Sequence, residues 1–246
     1  YKESKTGKFS EWINTNFVGC YLNIIKRRRQ ENRLYCGFDS FISLSNGNLR
    51  HFLELARTAF SLGYEYTEGR FNVSTIEQSI AAEKASSSLF SEIKSFRPMG
   101  NKLHIFAHRL GTIFSLYQSR LSQSEPEIGH FSIDGGDSAL NQDIRNFLYE
   151  CEKWGVLYKT SATKTKSNNA VDDYDWVLNP IYAPQFLISY RKKRKITLSP
   201  DIVSVLFDDT SGNFDSYLKR VKDKVGQTED LDMPLDQLKQ RDFFDV

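Results

Sequence analysis

SLSNGNLRHFLELARTA, residues 43–59, is the stretch from which the rest of the chain can be ordered. Its apolar positions Leu49, Phe52, Leu53, Ala56 and Ala59, with Phe60 just beyond, follow the i, i+3, i+4, i+7 spacing of an amphipathic helix. Ser45 or Asn46 can cap its first turn, and Gly47 lets the backbone turn in tightly before it. Arg50 projects from the polar face of the opening turns, with Glu54 and Arg57 one and two turns on. Taken alone, Arg50 with Glu54 is an i, i+4 surface ion pair worth a few tenths of a kcal/mol.

On the N-terminal side, Trp12, Ile13, Phe17, Cys20, Tyr21, Ile24 and Ile25 stripe a helix over residues 9–29. It closes on Lys26-Arg27-Arg28-Arg29, cations where the helix dipole favours them, and reads as a solvated helix end. A short helix from Asp39 to Leu44 leads into the opening stretch. Beyond it, Leu62-Gly63-Tyr64 turns the chain, and Ser74-x-x-Glu77 is a capping box before an alanine-rich helix reaching about Lys94.

Composition bounds what such a chain can do. Its 246 residues suffice for one or two domains with sizeable cores. A net charge of +2 does not mark the whole chain as a polyanion binder. No apolar run has the length of a membrane span and no signal peptide opens the chain, so no membrane partner is expected. Cys20, Cys36 and Cys151, unevenly spaced and odd in number, suit a reducing cytoplasm better than a disulfide framework. No G-x-x-x-x-G-K-[ST] occurs: Thr6-Gly7-Lys8 continues into Phe9, without the leading glycine or the hydroxyl that would hold magnesium. No apolar strand ends in paired acids either, so this chain alone is expected not to hydrolyse ATP. Starting at Tyr1 in polar sequence, it reads as a fragment.

Asn46-Gly47-Asn48-Leu49-Arg50, opening an apolar-striped helix, resembles the second-sensor motif in the lid of AAA+ ATPases. The resemblance is closest to the origin-recognition and cell-division-control initiator clade and its prokaryotic relatives, and covers about Phe9 to Phe96. It implies that Arg50 senses nucleotide, reaching the γ-phosphate of ATP held by a preceding domain. A planar guanidinium suits that contact because it meets phosphate oxygens bidentately. It further implies ATP and Mg as cofactors of the intact protein, none bound by this fragment alone, and a missing N-terminal nucleotide-binding domain as partner.

Arg97-Pro98-Met99-Gly100 breaks the helical pattern and divides the chain: 1–96 a lid-like helical domain, 97–210 a second domain, 211–246 an amphipathic helix and acidic tail. Leu103, Phe106, Ala107, Leu110, Ile113, Phe114, Tyr117 and Leu121 stripe the next helix, and Ile128–Ile133 can form a strand. A poorly marked short helix between Asp134 and Ala139 precedes a second main helix, Leu140 to Trp154, with Leu140, Ile144, Phe147, Leu148 and Cys151 inward. Gly155–Thr160 and Tyr174–Leu178 read as strands flanking a polar hairpin, Ala162–Asp173. Helix, strand, helix and a two-stranded wing is the winged-helix arrangement, which in the initiator clade follows the lid. The expected fold class is therefore mainly α with a small β-wing, a helical AAA+ lid followed by a winged-helix domain.

A winged helix lays the exposed face of its second main helix in the major groove of double-stranded DNA. Here that face carries Gln142, Arg145, Asn146, Tyr149 and Lys153, while Asp143, Glu150 and Glu152 leave the helix slightly acidic. The wing offers Lys159, Lys164 and Lys166, with Asp172, Asp173 and Asp175 nearby. Past a proline-pinned extended segment, Asn179–Pro184, comes the densest positive run, Arg191-Lys192-Lys193-Arg194-Lys195, read as a loop able to meet phosphate. Ile196–Phe207 reads as a short helix with Pro200 in its first turn. The tail after Gly226 mixes acids with Leu231, Met233, Leu235, Leu238, Phe243 and Phe244, and can fold back or dock on a protein partner. His104 and His108 have a metal-capable i, i+4 spacing, but Ile105 stands where a zinc hydrolase has glutamate and no third ligand is indicated. Two functions stay open: part of a DNA-associated AAA+ ATPase, or a winged-helix adaptor for protein partners in a prokaryotic regulatory or antiviral defence complex.

Overall fold

The computed structural model describes residues 10, 13, 17–26, 32–65, 70–71, 73–119, 127–161, 174–207 and 212–232. The protein is mostly helical with one small mixed sheet. Its first half holds α1 (17–26), α2 (Phe38–Ser45), α3 (Leu49–Leu62), a two-residue hairpin β1–β2 (Tyr64–Glu65, Arg70–Phe71) and α4 (Thr75–Glu92). The capping box before α4 forms as its sequence demands: Ser74 Oγ accepts from Glu77 N at 3.2 Å, and Glu77 Oε2 accepts from Ser74 N at 2.7 Å. Helix α3 is capped by Asn48, whose side-chain oxygen accepts from Arg50 N and His51 N. That is two to three residues later than the expected Ser45 or Asn46, because Asn46 (φ 49°) and Gly47 (φ 76°) are spent on the turn that ends α2.

The apolar stripe of α3 does not face the core as expected. His51, Leu55 and Ala59 are the buried residues, while Leu49, Leu53 and Phe60 are more than half exposed. Packing of α2 and α4 covers the 51–55–59 line and leaves Leu49 and Leu53 to solvent. In α1 likewise Val18, Leu22 and Ile25 turn inward, while Phe17 and Ile24 remain exposed.

After a 3-10 turn at Ile93–Ser95, α5 (Gly100–Gln118) runs through the centre of the molecule. All of its expected core positions from Leu103 to Tyr117 are buried. Next come β3 (Ile128–Ile133), a 3-10 turn (Asp137–Ala139), α6 (Gln142–Lys153), β4 (Leu157–Ser161) and β5 (Tyr174–Leu178). The order of strands in the sheet is β4-β5-β3-β6, with β4–β5 and β5–β3 antiparallel. The fourth strand, β6 (Arg194–Leu198), pairs parallel to β3 and corrects two expectations, a loop for the basic run and a helix over Ile196–Phe207, which begins only at Pro200. Alternation from Ile196 onward decided it, since Ile196 and Leu198 join the core while Thr197 between them is exposed. The segment expected to be extended from Asn179 to Pro184 instead coils into a 3-10 turn (Pro180–Tyr182) and α7 (Ala183–Phe186). Asn179 caps it and proline sits at the first positions of both helical turns, where a missing N–H costs nothing. Helices α8 (Pro200–Phe207) and α9 (Asn213–Asp232) follow.

Buried side chains on both sides of residue 97 belong to one continuous core. Tyr35 Oη donates to Ile188 O at 2.7 Å, and the Phe90 ring meets Tyr182 and Phe186 edge-on at 5.8 and 5.3 Å. The junction itself is tight. A Cβ on Gly100 would press on the backbone carbonyl oxygens of Lys94 and Ile93. Gly100→Ala is expected to lower stability by about 1–3 kcal/mol through overpacking, measured as a shift of the urea midpoint at unchanged m-value.

Candidate functional site

Arg50 stands on the surface, 64% exposed, at the start of α3. Its expected partner Glu54 is not the one it uses. Glu54 is engaged by Arg57, whose Nε donates to Oε2 at 3.0 Å. Arg50 instead reaches across to α4, where its Nη2 donates to both carboxylate oxygens of Glu92 at 2.7 and 2.6 Å. The hydrogen bonds it donates to Glu92, then the carboxylate's charge, raise the guanidinium's pKa further. An exposed pair of this kind contributes little to stability, so an anion can take Glu92's place at low cost. Leu49 and Leu53 on either side of Arg50 are exposed, as are Phe38 and Ile42 of the neighbouring α2. Buried His51, next in the chain, is kept neutral by desolvation and by Arg50.

Helix α6 brings Gln142, Arg145, Asn146, Tyr149 and Lys153 to one solvent face, as its period requires. Gln142 Nε2 donates to Asn146 Oδ1 at 2.9 Å, and Arg145 Nη2 to the carbonyl of Asp137 at 2.9 Å. The acids of this helix are partly neutralised. Glu150 takes Lys153 at 3.0 Å and the Trp154 indole at 2.9 Å, and Glu152 takes Lys159 of β4 at 3.2 Å. Lys159 also lies 4.9 Å above the Trp176 ring. A cleft of about 210 Å³ opens between α6 and the β4–β5 pair, lined by Asp137, Leu140, Arg145, Leu148, Tyr149, Lys159 and Trp176. Lys164 and Lys166 lie outside the described residues.

The basic run is divided in its duties. Asp175, wholly buried in β5, accepts from Lys195 Nζ on Oδ1 at 2.9 Å and faces Lys192 Nζ on Oδ2 at 3.3 Å. Lys192 Nζ also donates to Thr160 Oγ1 and Ser161 O at 3.1 and 3.2 Å, so all three of its protons are used inside the protein. Lys193 stands 4.0 Å from buried Glu127, whose other oxygen accepts from Ser189 Oγ at 2.6 Å. Arg191 is exposed. Beside Asp175, buried His130 has its pKa pushed down to about 4, first by desolvation and then by Lys192 and Lys195, against the opposing pull of Asp175. From the sequence, Asp175 groups with Asp172 and Asp173 near the hairpin lysines, with no buried cation partner expected for it. Its signal was available: Asp175 precedes three buried apolar residues within a strand, where an acid needs a cation. His104 and His108 both pack on the Phe90 ring, at 4.5 and 6.5 Å.

The family model described as ORC-CDC6-like matches residues 1–198. No curated protein and no solved structure matches.

Proposed function

This chain belongs to the ORC-CDC6-like family, making it AAA+ ATPase-related and of the initiator clade, and on that premise we propose that it is the lid and winged-helix portion of an ATP-dependent, DNA-associated ATPase. In this reading residues 1–96 are the lid, 97–210 the winged helix, and 211–246 a helix and tail open to a protein partner. Arg50 senses the γ-phosphate of ATP–Mg held by an N-terminal nucleotide-binding domain, and the working compartment is the cytoplasm.

One observation carries the reading: the run α5, β3, 3-10 turn, α6, β4, β5, with β5 seated between β4 and β3. A winged helix is assembled in that order, with α6 as the groove-facing helix and the β4–β5 hairpin as wing. The exposed apolar line Phe38, Ile42, Leu49 and Leu53 beside Arg50 supports docking of a further domain there. The same apolar surface, together with the paired cations of α6, is what favours the second reading, an adaptor that binds proteins.

Two measurements test the proposal. Fluorescence anisotropy with a duplex probe is expected to show weak, sequence-tolerant binding that falls steeply with added salt. Arg191→Ala should weaken it without altering the melting curve. Binding absent even at low salt rejects the DNA role and leaves the adaptor. In the intact protein, Arg50→Ala is expected to cut ATP turnover about a hundredfold while leaving stability nearly unchanged. Equal turnover rejects nucleotide sensing.

A further inference from the structure

The cleft between α6 and the wing strands has a composition that duplex binding does not require. Leu140 and Leu148 form an apolar floor, each buried. Tyr149 stands at its edge, 64% exposed, and among the described residues its hydroxyl has no hydrogen-bond partner. Arg145 and Lys159 bring two cations and Asp137 one carboxylate. Lys159 is already 3.2 Å from Glu152, which leaves the cleft close to neutral. A site built for a bare phosphate would keep its positive charge unspent. A neutral, half-apolar cleft with a flat ring at the rim and one donor and one acceptor group inside matches a planar heterocycle instead.

We infer that this cleft binds a single unpaired nucleobase, stacked on Tyr149 and read on its edge by Asp137 and Arg145. The inference rests on the DNA-associated reading and deepens it: the preferred nucleic acid is a duplex carrying an unpaired or extruded nucleotide. The volume of about 210 Å³ admits one base and no base pair. Its position fits the same geometry. Arg145 and Tyr149 lie on the face of α6 that would enter the groove, and Lys159 lies on the neighbouring β4, so the cleft sits beside the place where a base would leave the stack at α6. Guanine matches best, because one edge presents two N–H groups for a carboxylate and an adjacent carbonyl oxygen for a guanidinium. The Asp137 carbonyl orients Arg145 through its 2.9 Å hydrogen bond, so the guanidinium is held in place before a ligand arrives.

The test uses the full chain and three labelled probes of one sequence: a fully paired duplex, the same duplex with one bulged guanosine, and an acidic tyrosine-containing peptide. The bulged duplex is expected to bind about tenfold more tightly than the paired one at the same salt, the gain one stacked base supplies. Tyr149→Ala should bring the bulged and paired probes to equal affinity, abolishing the tenfold preference, and leave the melting curve as it was, since the ring is exposed. Asp137→Ala, also at an exposed position, should reduce the preference for bulged guanosine in the same way. Equal affinity for bulged and paired duplex overturns the base site while leaving the DNA reading intact. No binding of either duplex overturns the DNA reading and this inference with it. Peptide binding that Tyr149→Ala abolishes, without any preference for the bulge, assigns the cleft to a protein partner and overturns the inference.

Discussion

Asp175→Ala is expected to lower the melting temperature by about 5–15 °C. The physical reason is the inventory around its carboxylate. Lys195 at 2.9 Å and Lys192 at 3.3 Å are brought together on a fully buried acid. Removing the acid leaves two ammonium groups facing each other beside β5 with no counter-charge between them. Breaking a fully buried pair costs about 3–5 kcal/mol. Here Lys192 and Lys195 keep 28% and 24% of their side-chain surface, so part of the loss is recovered by hydration and about 2–4 kcal/mol is expected. Replacing the three charges together, Asp175→Leu with Lys192→Met and Lys195→Met, should recover most of the stability, because an apolar set of similar volume carries no desolvation cost. Thermal melts of both variants decide the matter, and an Asp175→Ala protein melting within a degree or two of the parent would falsify the staple.

The second large effect is on pH. His130 is buried between Val177 of β5 and Lys195 of β6, with its Nδ1 unpartnered and its Nε2 3.7 Å from Asp175. Its folded pKa of about 4 lies below the ordinary histidine value of about 6.5. The sign follows from which state takes the proton. Above pH ~6.5 both states hold a neutral ring, and the stability is complete. As pH falls from ~6.5 towards 4 the unfolded chain is protonated first, so stability drops, by about 3 kcal/mol once both states are protonated. His51 and His104, also shifted down by burial, act in the same direction. Carboxylates add their own loss below about pH 5, which makes the window from pH 5 to 6.5 the diagnostic one. His130→Gln should flatten the pH dependence of the urea midpoint there. An unchanged slope would assign it to other groups.

Much of the fold was legible because it depends on local periodicity. The α5 positions from Leu103 to Tyr117, the inward face of α6 and the bounds of β5 follow from spacing alone, since each element is covered on the side its apolar residues mark. The Ser74–Glu77 capping box was legible for the same reason: all its partners lie within four residues. The positions on the exposed face of α6 were equally legible, whereas their partners were not.

What sequence could not order was everything set by which neighbour arrives. In α3, Leu49, Leu53 and Phe60 satisfy a helical stripe as well as Leu55 and Ala59 do, and only the docking of α2 and α4 decided which line is covered. Arg50 had Glu54 one turn away, yet pairs with Glu92, 42 residues on, because the fold lays α4 alongside and leaves Glu54 to Arg57. The basic run shows the same limit most plainly. Five cations in a row are a solvated loop by composition. A parallel pairing of β6 with β3 carries them past Asp175 and Glu127, where burial makes a carboxylate demand a counter-charge. By itself, then, the sequence determined α5, α6, the capped start of α4, strand β5 and the outward face of α6, through contacts closed within a few residues. Tertiary structure alone decided which cations are spent on buried acids and which surfaces stay open, because charge pairing and burial depend on residues brought together from 17 to 66 positions apart.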